Sequence, residues 1–461
     1  MKRYFIYMMM WLLGTGMGFA QKQTPPPGGK PRDFKLPEKV TFQLDNGLKV
    51  TLVPYGTLPK ASVELVIRTG NIDEAANEVW LADLTFDMLK EGTLNRSAQE
   101  IARQAASMGG SLGISTGADQ SWVGGDVLSE FVPDMVELIA DVVQHPVFPA
   151  TELERLKRDY LRRLSISKTQ AQSQAQEKFL QLLYGDHPYG RLYPTEEMLQ
   201  GYTIDQIRGF YDRNFGALRS HLYVVGVFDE TAVKNAISRA FGEWKQGPQP
   251  LVNVPKTVAR KSLYLIDRPG APQSTIIMGL PVVDPSHPDY IPLTVANALL
   301  GGSFSSRITA NIREDKGYTY SPRSSIHTHY RDAYWAEQAD VTTQFTGASL
   351  HEIQYEIERL QKEAPTANEL QAIQNYIAGT FILHNSGRSS ILGILAFIDL
   401  HGLGDEYLTH YISRLYAVTP ADVQEMIKKY ILPEKMTIVV VGDRKVVRNQ
   451  LKPFGPIEET Q

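Results

Sequence analysis

Apolar and polar positions alternate over the first folded stretch of the chain, and the pattern predicts three strands there. Residues 40–44 and 49–54 flank Asn46-Gly47, a strong hairpin signal, and residues 62–68 form the third. The spacing then lengthens to helical repeats over 75–91 and 97–108, returns to strands over 111–117 and 120–128, and becomes helical again over 130–144, 150–176 and 204–214. A strand at 221–227 and a helix at 231–242 follow. Residues 247–257 (GPQPLVNVPKT) then break the pattern and read as a linker.

Beyond the linker the order recurs: strands at 263–267 and 274–280, helices at 287–300 and 305–315, two strands within 319–341, and helices at 344–361 and 366–386. Landmarks keep nearly constant offsets. Pro59 to Met88 spans 29 residues and Pro272 to Leu300 spans 28, Ser97 and Ser306 stand 209 apart, and Gly109 and Gly317 stand 208 apart. A duplicated unit of hairpins and helices predicts an α+β protein of two similar lobes, each a mostly antiparallel sheet covered by helices. The first lobe is expected over 37–246 and the second over 258–461.

The ends and the composition narrow the setting. Residues 1–20 carry Lys2 and Arg3, an apolar run, and Gly18-Phe19-Ala20 before Gln21, the pattern of a secretory signal peptide. The apolar run is short of the ~20 residues a spanning helix needs, so no membrane attachment is expected after cleavage. Export to the periplasm is expected if the source is Gram-negative, and to the exterior otherwise. Residues 21–36, rich in Pro, Gly and Lys, read as a flexible leader. The chain has no Cys, so neither disulfides nor lipidation at a lipobox contributes. Without Lys2 and Arg3, 45 basic residues stand against 51 acidic ones, a net charge of −6 that argues against a nucleic-acid partner.

Three stretches carry a family resemblance: FQLDNGLKVTLVP, LADLTFDMLKEGT and LLGGSFSSRITANIREDKGYTYS. Through them the chain resembles the pitrilysin/insulinase (inverzincin) peptidases over almost its whole mature length, in particular the half-size bacterial and mitochondrial-processing-type members. In active members two His of H-x-x-E-H bind zinc and the Glu activates the metal-bound water. Aligned on Met88-Leu89 and Gly92-Thr93, those five positions read Asp83-Leu84-Thr85-Phe86-Asp87 here. Both His are missing, and Phe86 stands in place of the base. The third ligand falls at Arg162-Arg163, of which Arg163 is taken as the degenerate position, and a guanidinium repels a metal. The resemblance also implies a catalytic pair in the C-terminal lobe, an Arg and a Tyr seven residues later, matched by Arg313 and Tyr320; Tyr318 is a near neighbour. The bland alternative has Arg313 paired with Glu314 or Asp315 and Tyr320 in the core.

These features imply a division of labour seen in two-component members of the family. This chain is expected to hold no cofactor, to be inactive as a peptidase alone, and to supply Arg313 and Tyr320 to the zinc site of an H-x-x-E-H partner subunit acting on unfolded peptides. An inert structural or binding homologue is the alternative. A third reading gives Asp83 and Asp87, one helical turn apart, a hard cation; against it, such cations want several more oxygens, and solvation or pairing with Arg162 or Arg163 is the simpler fate. Elsewhere, His327 and His329 would share a strand face and could clip a metal with a third ligand, although such a pair is more often exposed on a strand or lines a cavity. His351-Glu352 lacks the second His of H-E-x-x-H, and His187 lies in a family loop (GDHPYG) where it is structural.

Overall fold

The structure is a computed structural model and describes residues 32–459. The expected signal peptide and most of the leader lie outside the described residues.

Two six-stranded sheets of the same order organise the chain. The first comprises β1 (Val40–Gln43), β2 (Lys49–Pro54), β3 (Lys60–Ile67), β4 (Gly113–Ser115), β5 (Ser121–Leu128) and β6 (Ser220–Gly226), arranged β1-β2-β6-β3-β5-β4. The second comprises β7 (Ser262–Asp267), β8 (Gln273–Val282), β9 (Arg323–His329), β10 (Asp332–Thr342), β11 (Thr437–Gly442) and β12 (Glu458–Glu459), arranged β12-β7-β11-β8-β10-β9. Each has one late central strand, β6 or β11, inserted parallel to an early strand and antiparallel to the next. Most other pairings are antiparallel, so the expected two-lobed α+β architecture is the one observed.

Alternation along the strands explains how both sheet faces are filled. Val50, Leu52, Val63, Leu65, Leu222 and Val224 face one way, into a core with α1 (Leu81–Leu89) and α2 (Val132–Gln144). Val53, Val66, Tyr223 and Val225 face the other way. The helices on those second faces are exchanged between lobes. A long helix, α3 (Ala150–Thr169), ends at Gln170, whose extended backbone (φ −89°, ψ 129°) turns the chain into α4 (Ala171–Tyr184). There α4 lays Ala175, Phe179 and Leu183 on Ile277, Val439 and Val441 of the second sheet. Reciprocally, α5 (Arg388–His401), from the second half of the chain, lays Ile391, Leu392 and Leu395 on the second face of the first sheet. Strands buried on both faces read as continuous apolar runs, as in HLYVVG and TIVVVG.

Three departures from the sequence pattern have physical causes. The expected helix over 150–176 is two helices, because its second part has to reach the other sheet. The helix expected from residue 75 begins only at Leu81: the Glu74 carboxylate takes the Ala82 N–H, and Trp80 sits at φ 68°, a conformation no helix can include. Beyond residue 386, where the pattern reading proposed no element, lie α5, β11 and several further helices. The offset landmarks are structurally equivalent: Ser97 and Ser306 both stand at helix N-cap positions, Ser97 alone with a capping hydrogen bond, and Gly109 and Gly317 both adopt positive φ (77° and 65°).

The lobes also meet through the β4–β5 and β9–β10 turns. Asp119 accepts from the Tyr189 hydroxyl and, at 3.2 Å, from the Tyr330 N–H, and lies 3.5 Å from His329 Nδ1. Tyr184 donates to Asp332 at 2.6 Å. The His329 ring stacks on Tyr189 at 3.9 Å, and His187 Nε2 meets the Asn253 carbonyl at 3.1 Å.

Candidate functional site

The stretch expected to be a degenerate zinc motif, residues 83–87, lies on α1, entered through the left-handed Trp80. Asp83 and Asp87 fall on the face turned to α3, one turn apart. All four of their carboxylate oxygens have partners. Asp83 Oδ2 accepts from Asn71 Nδ2 at 2.8 Å, and its Oδ1 lies 3.7 Å from Arg163. Asp87 Oδ1 accepts from Lys90 at 2.9 Å, and its Oδ2 from the Tyr160 hydroxyl at 2.7 Å. The Arg163 guanidinium stacks 4.4 Å from the Trp80 ring and 4.2 Å from the Tyr160 ring. Phe86 points away from this cluster. It is fully buried and packs on Phe215 with ring centroids 4.9 Å apart.

Burial raises the Asp83 pKa, opposed by the Asn71 hydrogen bond and by Arg163, while the nearby Asp87 charge adds to the rise. Burial and the two Asp charges likewise push the Tyr160 hydroxyl up. This is crowded negative charge balanced by one guanidinium, that of Arg163. The residues do not fit zinc: no imidazole is present, no carboxylate oxygen is left unpaired, and a fixed cation fills the approach. The same pairing answers the hard-cation reading of Asp83 and Asp87. Among the described residues no group of three or more His, Asp or Glu is placed to hold a metal, the neighbourhood of His327 and His329 included.

Glu74, which the sequence pattern did not single out, completes the cluster. Its Oε1 accepts from Ala82 N at 2.9 Å and Asn71 Nδ2 at 3.1 Å, and burial, with the Asp83 charge in support, pushes its carboxyl up to about 8. The unfolded value is ~4.3, so the native chain takes up the proton first. Stability is therefore full below that value and declines as pH rises towards 8. Glu64, raised to about 7 by burial and Asp126, acts in the same direction. Glu74→Gln is expected to make the decline in denaturant midpoint between pH 5 and 8 shallower, Glu64 and Glu337 supplying the remainder; an unchanged slope would show that Glu74 titrates normally.

The second candidate site is on the C-terminal lobe, where two helical segments widen to π turns, Ala298–Gly302 and Ala310–Asp315. Such turns recur at functional sites because they redirect side chains out of helical register. Arg313, on the second turn, is held on three sides. Its Nε lies 3.1 Å from Glu314 Oε1, and its guanidinium lies 4.4 Å from the Phe304 ring and 4.8 Å from the Tyr320 ring. The Glu314 pairing considered as an alternative is present, but Tyr320 is not in the core: it is 79% exposed, and Phe304 is 69% exposed. Tyr318 instead stacks on Phe345 at 4.6 Å, which leaves Tyr320 as the hydroxyl beside Arg313. Together with Gly301, Gly302 and Tyr376 they bound a cavity of about 340 Å³.

The floor of that cavity explains one glycine. A Cβ on Gly301 would lie 2.6 Å from Ser324 Oγ and 2.7 Å from Glu337 Oε2, so only glycine lets the backbone rest there. Glu337 is fully buried, and burial raises its carboxyl well above the usual range. The Gly-Gly pair was visible in the sequence, whereas Glu337 carried no signal in the β10 pattern.

Similarity to known proteins agrees with this geometry. The pattern of the family described as Insulinase (Peptidase family M16) matches residues 50–193, and that of the Peptidase M16 inactive domain matches residues 201–377. The chain belongs to the insulinase (M16) peptidase family. Its M16 relatives include an uncharacterized zinc protease of Rickettsia felis, 25% identical over 63% of this chain and 70% of the relative, and one of Bacillus subtilis, 24% identical over 74% and 83%. Among solved structures, an M16 inactive domain from Pseudomonas fluorescens superposes with a TM-score of 0.80 at 24% identity over 88% of this chain and 98% of that one. A Helicobacter pylori protease gives 0.82 at 19% identity over 88% and 100%. The first M16 match contains Asp83, Phe86, Asp87 and Arg163, and the second contains Arg313 and Tyr320.

Proposed function

We propose that this peptidase homologue is the non-zinc, substrate-binding subunit of a two-chain M16 metallopeptidase that hydrolyses unfolded peptides after export. One contrast carries the reading. The metal side of the site is neutralised by its own hydrogen bonds and Arg163, while Arg313 and Tyr320 remain at the surface beside a cavity. A purely structural homologue has no need of an exposed Tyr held against an Arg. The zinc of an H-x-x-E-H partner would supply the activated water. This chain's residues bind and polarise: Arg313 forks to peptide oxygens, and the Tyr320 hydroxyl donates to the carbonyl oxygen that gains charge.

The test is reconstitution with a secreted relative that carries H-x-x-E-H, sought first in the neighbouring reading frame. The pair is expected to cleave unstructured peptides with one zinc per two chains, and this chain alone to bind no zinc and cleave nothing. Two zinc ions per pair, or chelator-sensitive cleavage by this chain alone, would overturn the proposal.

A further inference from the structure

The cavity at Arg313 and Tyr320 does not end there. Ser321 and Arg323, on its wall, also line a second hollow of about 440 Å³ on the face of the second sheet that carries α4. The register of β9 on β10 sets Gln338 opposite Arg323, Ala336 opposite Ser325 and Tyr334 opposite His327, so these pairs share that face. Gln176 of α4 forms one rim, and β9, the outermost strand, leaves the other side open. At ~3.3 Å per residue, Arg323 and His327 stand about 13 Å apart along the strand, a distance an extended peptide covers in four residues.

The polar groups of this hollow favour one charge. Asp340 is the sole acidic residue lining it, and it is already satisfied: Oδ1 accepts from Thr275 at 2.5 Å and Oδ2 from Gln172 at 2.9 Å. Arg323 is exposed. His327 is fixed by stacking on Tyr334 at 4.6 Å, and Gln176 donates to the Tyr334 hydroxyl at 3.2 Å. His327 is exposed at the rim, and desolvation by its neighbours first, then His329 and Arg323, hold its pKa down.

We propose that this hollow is a carboxylate subsite, in which Arg323, assisted by His327 and Gln338, takes an acidic side chain or the free C-terminus of the extended peptide held at Arg313 and Tyr320. The assignment rests on the peptide-binding reading of that pair and adds a substrate class to it.

Binding to the purified mature chain, without partner, tests it. The probes are fluorescent ten-residue unstructured peptides, otherwise uncharged, in four forms: free C-terminus, amidated C-terminus, amidated with one internal Glu, and amidated with Gln in its place. A carboxylate form is expected to bind about tenfold more tightly than its amide or Gln counterpart, the worth of one charge-assisted hydrogen bond. Which form gains tells a terminal from a side-chain carboxylate. Arg323→Gln, an exposed position, should bring the carboxylate peptides down to the affinity of their neutral counterparts, whereas Arg313→Ala should weaken all four alike. Equal affinities in the unmodified chain, a difference that survives Arg323→Gln, or no peptide binding at all overturns the subsite. Failure of the two-chain reading would register separately, as partnered hydrolysis indifferent to Arg313→Ala.

Discussion

Tyr320→Phe in the reconstituted two-chain enzyme is expected to lower kcat by about 10²–10³-fold while leaving KM nearly unchanged, the mark of a hydrogen bond that strengthens only as the carbonyl oxygen acquires charge. The substitution removes one oxygen from a ring that is 79% exposed, so folding stability should stay within about 0.5 kcal/mol and cannot account for the loss. Arg313→Ala should differ in kind. Its guanidinium is held between Phe304 and Tyr320 and beside Glu314. Losing it removes substrate grip and also frees the Tyr320 ring, so KM should rise and kcat fall together. Steady-state kinetics on an unstructured peptide, with circular dichroism as a folding control, separates the two patterns. If neither variant changes partnered hydrolysis, the pair is decoration and the chain is an inert homologue.

The sequence announced the surroundings of Arg313 and Tyr320 more clearly than it announced those of Asp83 and Asp87. Arg313 and Tyr320 sit in a stretch dense in local signals: Gly301, which only glycine can fill against Ser324 and Glu337, a serine at a helix N-cap position, and Gly317 at positive φ. Each is a short-range constraint, and short-range constraints are written in adjacent letters. The fate of Asp83 and Asp87 depended on residues far along the chain. Tyr160 and Arg163 reach them only because α3 packs beside α1, and no periodicity reveals that all four carboxylate oxygens are taken. Exchange of α4 and α5 between lobes was equally hidden. Their apolar stripes are legible, but the sheet they cover belongs to the other half of the repeat. The Gln170 break shows the same limit, since the helical pattern runs through it and tertiary placement ends the helix.

Rebuilding the lost motif should fail, and the first reason is Phe86. Its ring is fully buried against Phe215 at 4.9 Å, on the core side of α1 rather than on the face that bears Asp83 and Asp87. Phe86→Ala is expected to destabilise the N-terminal lobe by about 3–5 kcal/mol, the usual cost of emptying an aromatic site in a packed core. Phe86→Glu should cost at least as much at neutral pH, because the ring's contacts are lost and a carboxylate enters surroundings of Leu, Met and Phe without a partner. Burial would raise that carboxyl's native pKa above its unfolded ~4.3, so the added cost should shrink as pH falls and grow as pH rises through the interval between them. Denaturant midpoints at pH 5 and 8 read both the size and the sign. The second reason is Arg163, whose stacking partners Trp80 and Tyr160 are not among the three positions changed. The triple variant Asp83→His, Phe86→Glu, Asp87→His is therefore expected to bind no stoichiometric zinc by metal analysis. A triple variant that folds and holds one zinc would mean that Arg163 and the core around Phe86 yield more readily than their packing indicates.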